Sequence, residues 1–248
     1  MAVAKNFWKI VDKVINSADV ILEIVDASHP DETRNKEIEE KVKKRDKILI
    51  TVVNKIDLTK KAKFKGLIRP ILISTKSHIG IGRLRSKIMA EAARAGVKSP
   101  LVGVVGYPNV GKSSVINSLK GRRSARTSSS SGFTKGLQNI RGGANLMLID
   151  SPGVIPYGEH DDIKHIKAQI KNPESIKDPI GVVLQIIKEN PGKLQKHYGV
   201  SNSRAEDKEE IIERIAQKKH ILKKGGVPDT DRMALFILKD VYKGKIKI

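Results

Sequence analysis

Five short apolar runs punctuate the first 150 residues, and each stops at a polar residue or a glycine. They cover residues 20–25 before Asp26, 47–53 before Asn54, 68–73 before Ser74, 101–105 before Gly106 and 146–149 before Asp150. Helix-period patterns lie between several of them, over 36–44 and 82–95. Ahead of the first run, Phe7, Trp8, Val11, Val14 and Ile15 share one helical face. Unbroken apolar runs joined by helical crossovers predict a mostly parallel, doubly wound α/β sheet buried on both faces. Polar run ends are where such sheets place their ligands. After Tyr157 the runs cease. Helix patterns at 176–188, 211–222 and 233–242 predict a small all-α domain, the second helix entered through the capping-box spacing Ser203-x-x-Glu206. The domain boundaries expected are 1–159 and 160–248. A turn-rich joint occupies 95–100, and the serine-rich stretch 124–132 reads as a functional loop.

Composition narrows the partners. The 248 residues carry a net charge of +21, distributed as +15 over 1–160 and +6 over 161–248. A surface adapted only for solvation or heat would balance Lys with Glu. The excess points to a polyanionic partner. With four Phe, one Trp and four Tyr, phosphate and shape contacts to folded nucleic acid suit the chain better than base-stacking platforms. The lack of cysteine excludes thiolate chemistry and disulfides. No apolar run approaches the roughly 20 residues a membrane-spanning helix requires, so no membrane partner is expected. Lys5, Lys9, Asp12 and Lys13 interrupt any signal-peptide core. A cytoplasmic protein is expected.

The sharpest local chemistry is Gly106-Tyr107-Pro108-Asn109-Val110-Gly111-Lys112-Ser113. It fits G-x-x-x-x-G-K-[ST] between a strand-like run and the helix pattern at 114–119. Glycines let backbone N–H groups wrap phosphates at a helix N-terminus. Lys112 would neutralise the β- and γ-phosphates and Ser113 would hold Mg²⁺. Asp150-Ser151-Pro152-Gly153 supplies the metal-side carboxylate. This loop alone does not choose between ATP and GTP. Asn54-Lys55-Ile56-Asp57 and Ser74-Thr75-Lys76 end the second and third runs. A carboxylate such as Asp57 can accept both hydrogen bonds of guanine's N1–H and N2 edge, whereas adenine would leave it unpaired.

N-K-x-D, S-x-K, the phosphate loop and D-x-P-G together resemble the nucleotide motifs of Ras-like translation-factor GTPases, but their blocks are exchanged in order. The base motifs precede the phosphate loop, as in the circularly permuted GTPases of the YlqF/YawG family, known for ribosome biogenesis. Asp26-Ala27-x-x-Pro30 with Arg34-Asn35, Gly132-Phe133-Thr134-Lys135-Gly136, and the closing G-G-V-P-D…K-D-V-Y-K-G-K extend the resemblance over nearly the whole chain. It implies a Ras-like P-loop GTPase domain with its old ends joined at 95–100, and a helical C-terminal RNA-binding domain. GTP or GDP with Mg²⁺ would be the ligand. The large ribosomal subunit or its precursor, through rRNA, would be the partner. Asn54, Lys55, Asp57, Ser74, Thr75, Lys76, Asn109, Val110, Gly111, Lys112, Ser113, Ser114, Asp150 and Gly153 would bind nucleotide. Ser113, Thr134 and Asp150 would serve Mg²⁺, and Asn109 a K⁺. Lys112, Thr134, Asp150 and Gly153 would carry catalysis. Ser28 stands where many members have Arg, and no G-H-M stretch lies near Asn6 to Lys9. Val154 occupies the place of a water-orienting Gln, so slow intrinsic hydrolysis is expected. Two alternatives stay open at this point: a guanine-nucleotide-responsive RNA-binding protein with negligible turnover, or a P-loop ATPase or kinase.

Overall fold

A computed structural model describes residues 2–59, 66–67, 69–120, 139–141, 145–201 and 207–248. The chain divides into two compact units, Met1–Glu159 and His160–Ile248. Among the described residues no helix is long and apolar enough to cross a membrane.

The first unit holds a six-stranded sheet in the order β3-β2-β1-β4-β6-β5. The strands are β1 (Val20–Asp26), β2 (Ile48–Asn54), β3 (Ile71–Leu72), β4 (Leu101–Gly106), β5 (Asn139–Arg141) and β6 (Met147–Asp150). Five run parallel, formed by the five apolar runs, and β5 pairs antiparallel with β6 at the edge. β5 carries no sequence signal, because three residues are too few to show a period. β3 is shorter than its run. Arg69 is held at φ 47° and Pro70 has no N–H to give a ladder, so pairing starts at Ile71.

The helices of this unit are α1 (Ala2–Ser17), α2 (Pro30–Thr33), α3 (Lys36–Lys44), α4 (Ile81–Arg94) and α5 (Lys112–Lys120). Trp8, Val11, Val14 and Ile15 of α1 share one buried cluster with Ile38 and Val42 of α3, Val105 and Ile149 of the sheet, and Val154. Burying each large side chain contributes about 1.5–3 kcal/mol, which is why the spacing of α1 shows its apolar stripe. Beyond the joint at 95–100, Leu101 is fastened to Asp19 twice. Asp19 N–H donates to Leu101 O and Leu101 N–H to Asp19 Oδ2, both at 2.8 Å.

The second unit is helical: α6 (Asp162–Lys167), α7 (Pro179–Glu189), α8 (Lys193–Tyr198), α9 (Lys208–Lys218) and α10 (Thr230–Tyr242). α10 packs on α6, α7 and α9. Asp161, Asp178, Asp207 and Asp229 each cap a helix here, their side chains accepting a first-turn N–H. The expected Ser203-x-x-Glu206 box lies outside the described residues, and the cap of α9 is Asp207. α7 starts at Pro179 rather than at 176, because proline suits a first turn and Asp178 caps it. Inside this core Tyr198 donates to buried Asp240 Oδ2 at 3.0 Å.

Candidate functional site

Parallel register brings the polar run ends to one edge. Asp26 pairs with Asn54 across β1–β2, Gly106 lies opposite Ile24 across β1–β4, and Asp150 opposite Val104 across β4–β6. Residues distant in sequence therefore meet at the carboxyl ends of four neighbouring strands, the usual ligand edge of an open α/β sheet.

At the phosphate-loop end, the Lys112 ammonium is buried and donates to Tyr107 O at 2.6 Å and Gly106 O at 3.2 Å. Burial pushes its pKa down to about 8, against the pull of nearby Asp150. A bound polyphosphate would favour the charged form again. Ser113 Oγ lies 3.3 Å from Asp150 Oδ2. Gly153 sits against Pro108, where an added Cβ would meet backbone N and Cα at 2.6 Å and Lys112 Nζ at 3.0 Å. A hydroxyl beside a carboxylate, an inward-turned ammonium and a bare Gly153 make a donor set that fits a magnesium-bound polyphosphate.

The base end is wired to the phosphate end. Asn54 Nδ2 donates to Val110 O at 3.1 Å, and Asn54 Oδ1 accepts from Thr75 N–H at 3.3 Å. Ser74 Oγ donates to Asp57 Oδ1 at 2.6 Å. That hydrogen bond, aided by the charges of Lys76 and Lys55, holds the Asp57 carboxyl below its ordinary range. Asp57 thus stays an acceptor, as recognition of guanine's donor edge requires. An open pocket of about 420 Å³ is lined by Thr75, Lys76, His78, Ser114, Asn117 and Ser118. Gly111 adjoins Asn54, and Asn109 adopts φ 63° within the loop. Thr134 lies outside the described residues, as does the 124–132 loop.

Several participants fall outside the nucleotide motifs. Asp26 belongs only to a resembling segment, yet its Oδ2 is 2.6 Å from Lys55 Nζ and its Oδ1 accepts from Ser28 N–H at 2.8 Å. Lys55 is held at φ 64°. It separates Asn54, which reaches the loop, from Asp57, which meets Ser74. The strand-end position of Asp26 is the signal that could have found it. His78, Asn117 and Ser118 have no motif to announce them.

The stretch after Gly153 is also tethered. Val154 N–H donates to Gly106 O at 3.3 Å, and the Val154 side chain is buried. The Trp8 indole donates to Ile155 O at 2.9 Å and stacks on Tyr157 with ring centroids 5.4 Å apart. Tyr107 Oη donates to Glu159 Oε2 at 2.7 Å; burial and this contact raise the phenol's pKa.

Several known proteins are similar to this chain. An uncharacterized GTP-binding protein of Methanocaldococcus jannaschii is 38% identical, covering 96% of this chain and 65% of the relative. Nucleolar GTP-binding protein 2 of Saccharomyces cerevisiae is 34% identical over 98% of this chain and 52% of the relative. The chain thus spans between about half and two thirds of the length of these curated relatives. The crystal structure of GNP-bound YlqF from T. maritima superimposes with a TM-score of 0.58 at 22% identity, covering 97% of this chain and 94% of that one. The fold is therefore the circularly permuted GTPase fold that the motif order implies. The family described as 50S ribosome-binding GTPase matches residues 101–224, beginning at the strand that leads into the phosphate loop. Motif order, strand-end geometry and this match agree: the chain belongs to the 50S ribosome-binding GTPase family.

Proposed function

We propose that the protein is a cytoplasmic GTP-binding and GTP-hydrolysing switch that acts in assembly of the large ribosomal subunit by GTP-gated binding of rRNA. The observation that carries the reading is the link between the two ends of the site. Asn54 ties the base motif to Val110 of the phosphate loop, so recognition of guanine and grip on phosphate are mechanically one unit. The names of the family and of the yeast relative, ribosome-binding and nucleolar GTP-binding, and the net charge of +21 support an rRNA partner.

In this reading Asp57 accepts from guanine, while Thr75, Lys76 and Ser114 border the base. Lys112 turns from the loop carbonyls to the β- and γ-phosphates. Ser113 and Asp150 hold Mg²⁺, with Thr134 as a third ligand and Asn109 serving a K⁺. Magnesium, when bound, neutralises charge on the phosphate oxygens. Gly153, bare beside Lys112, offers its N–H to the γ-phosphate. The side chain after it, Val154, is buried and apolar and cannot orient water, so turnover is slow until the bound ribosomal surface supplies the missing help. The helical unit, 160–248, is the RNA-binding part.

Asp57→Asn tests the base assignment. It should weaken GTP and strengthen xanthosine triphosphate, whose edge carries a carbonyl in place of the amino group. Unchanged GTP affinity would refute Asp57 as the reader of the guanine edge. Co-sedimentation with large subunits in a non-hydrolysable GTP analogue against GDP, at moderate salt, tests the gating. Equal binding in both states would refute the switch.

A further inference from the structure

The connection between α9 and α10 is a built hairpin rather than a slack loop. Asp229 N–H donates to Ile221 O at 3.0 Å, Lys223 N–H to Val227 O at 2.8 Å and Gly226 N–H to Lys223 O at 3.2 Å, around a bridge between Leu222 and Pro228. Yet residues 222–227 are all exposed, Val227 at 58%. Gly225 and Gly226 sit at φ 88° and 80°, and an added Cβ at either would meet nothing within 4 Å. Conformation rather than crowding calls for glycine here, and the bare peptides leave the tip open to close approach by a ligand.

The tip also carries a cluster of cations. Lys218, Lys219, Lys223 and Lys224 fall within seven residues, with no acidic residue between Glu213 and Asp229. The first two have local work: Lys218 Nζ donates to Gly199 O, and Lys219 lies 5.5 Å over the Tyr198 ring. Lys223 makes a long, exposed pair with Asp231 at 3.5 Å, worth little in water. The ends of the hairpin serve the core, Ile221 by packing and Asp229 by capping α10, whereas the exposed cationic tip they hold in one shape pre-organises donors for a rigid polyanion.

We propose that the 221–229 hairpin is a docking surface for the sugar-phosphate backbone of structured RNA, with Lys223 and Lys224 each neutralising a phosphate and the Gly225-Gly226 peptides lying against the strand. This rests on the RNA-binding reading of the helical unit and gives that reading a place. The contact is backbone-directed, since the two ammoniums act as compact point charges suited to phosphates and the Gly225-Gly226 peptides carry no side chain.

The test neutralises Lys223 and Lys224 together to Gln and compares this variant with a matched control, Lys43→Gln with Lys44→Gln, on the exposed end of α3. Both remove the same charge. Binding to a hairpin rRNA fragment and to purified large subunits is titrated against salt, and GTP affinity is measured alongside. The tip variant should bind RNA about 10- to 30-fold more weakly near physiological salt, with a log–log salt slope shallower by about 2, as loss of two phosphate contacts requires. The control should change little, and GTP affinity should hold in both. Equal losses in tip variant and control would overturn the placement and leave diffuse attraction. Loss of subunit binding with rRNA binding intact would overturn RNA as the occupant and assign the tip to a ribosomal protein. Failure of the unaltered protein to bind RNA at all would remove the RNA-binding reading itself, and the hairpin proposal with it.

Discussion

Glu23 is a carboxyl in the middle of β1 with no exposed surface, and Glu23→Gln should stabilise the protein in a pH-dependent way. Its Oε1 accepts from Asn35 N–H at 2.8 Å, while Oε2 meets no donor among the described residues. Burial, reinforced by the charge of Glu39, pushes its pKa from the ordinary 4.5 up to about 8; the Asn35 hydrogen bond opposes this. Glu39 is paired with Arg34, whose Nη2 donates to Oε2 at 2.7 Å. The folded protein therefore keeps a proton on Glu23 that the unfolded chain releases above pH 4.5. The stabilisation is fully present below that pH and is lost as pH rises through about 8. Each unit of displacement is worth about 1.4 kcal/mol. The loss is therefore about 3 kcal/mol at pH 7 and approaches about 5 kcal/mol above pH 8. The amide in Glu23→Gln copies the protonated form, since it accepts from Asn35 and can donate towards Glu39. Urea unfolding followed by Trp8, the single tryptophan, reports on the unit concerned. The advantage of the variant should be under about 1 kcal/mol at pH 5 and grow steadily to pH 8. A difference that stays constant from pH 5 to pH 8 would refute the reasoning.

Other outcomes are expected. Asp26→Asn removes the charge facing Lys55 across 2.6 Å and should cost about 1–3 kcal/mol in unfolding and weaken GTP about tenfold; an unaltered GTP affinity would deny Asp26 any hold on the base motif. Gly153→Ala puts a Cβ 2.6 Å from Pro108 backbone, which cannot swing aside, so the GTP-analogue state should be lost while GDP binding persists; isothermal titration with both nucleotides decides. Because Trp8 touches Ile155 and Tyr157, its fluorescence should change when the GTP analogue replaces GDP. Identical spectra in both states would show that the stretch after Gly153 does not move.

The candidate site is legible in the sequence because its chemistry is local. Gly106 to Ser113 must be contiguous to wrap a phosphate, so spacing exposes that loop, while Asn54 to Asp57 stand out by their strand-end position and their resemblance to the N-K-x-D motif. Buried parallel strands likewise need unbroken apolar runs, and four of the five runs coincide with strands to within a residue or two. β3 and β5 fall outside that logic. The first is cut short by Pro70, and the second is three residues whose pairing depends on β6 being beside it. The helix starts at Asp178 and Asp207 differ from the expected ones because capping competes among neighbouring polar residues, and only the packed helix selects one.

What the sequence alone determined is the class of protein: a phosphate-loop α/β fold, a helical second part and a strong positive charge, with the permutation and a guanine-type base motif implied by resemblance to the YlqF/YawG family. Periodicity and contiguous motifs are properties of the chain itself. What only the tertiary structure decided is which distant groups act on one another. Asp26 grips Lys55, Asn54 holds Val110, Glu23 is stranded in the sheet, and Trp8 clasps the stretch after Gly153. Each depends on strand register or helix packing, which joins residues through space, and burial then gives their charges and hydrogen bonds a strength that no local pattern records.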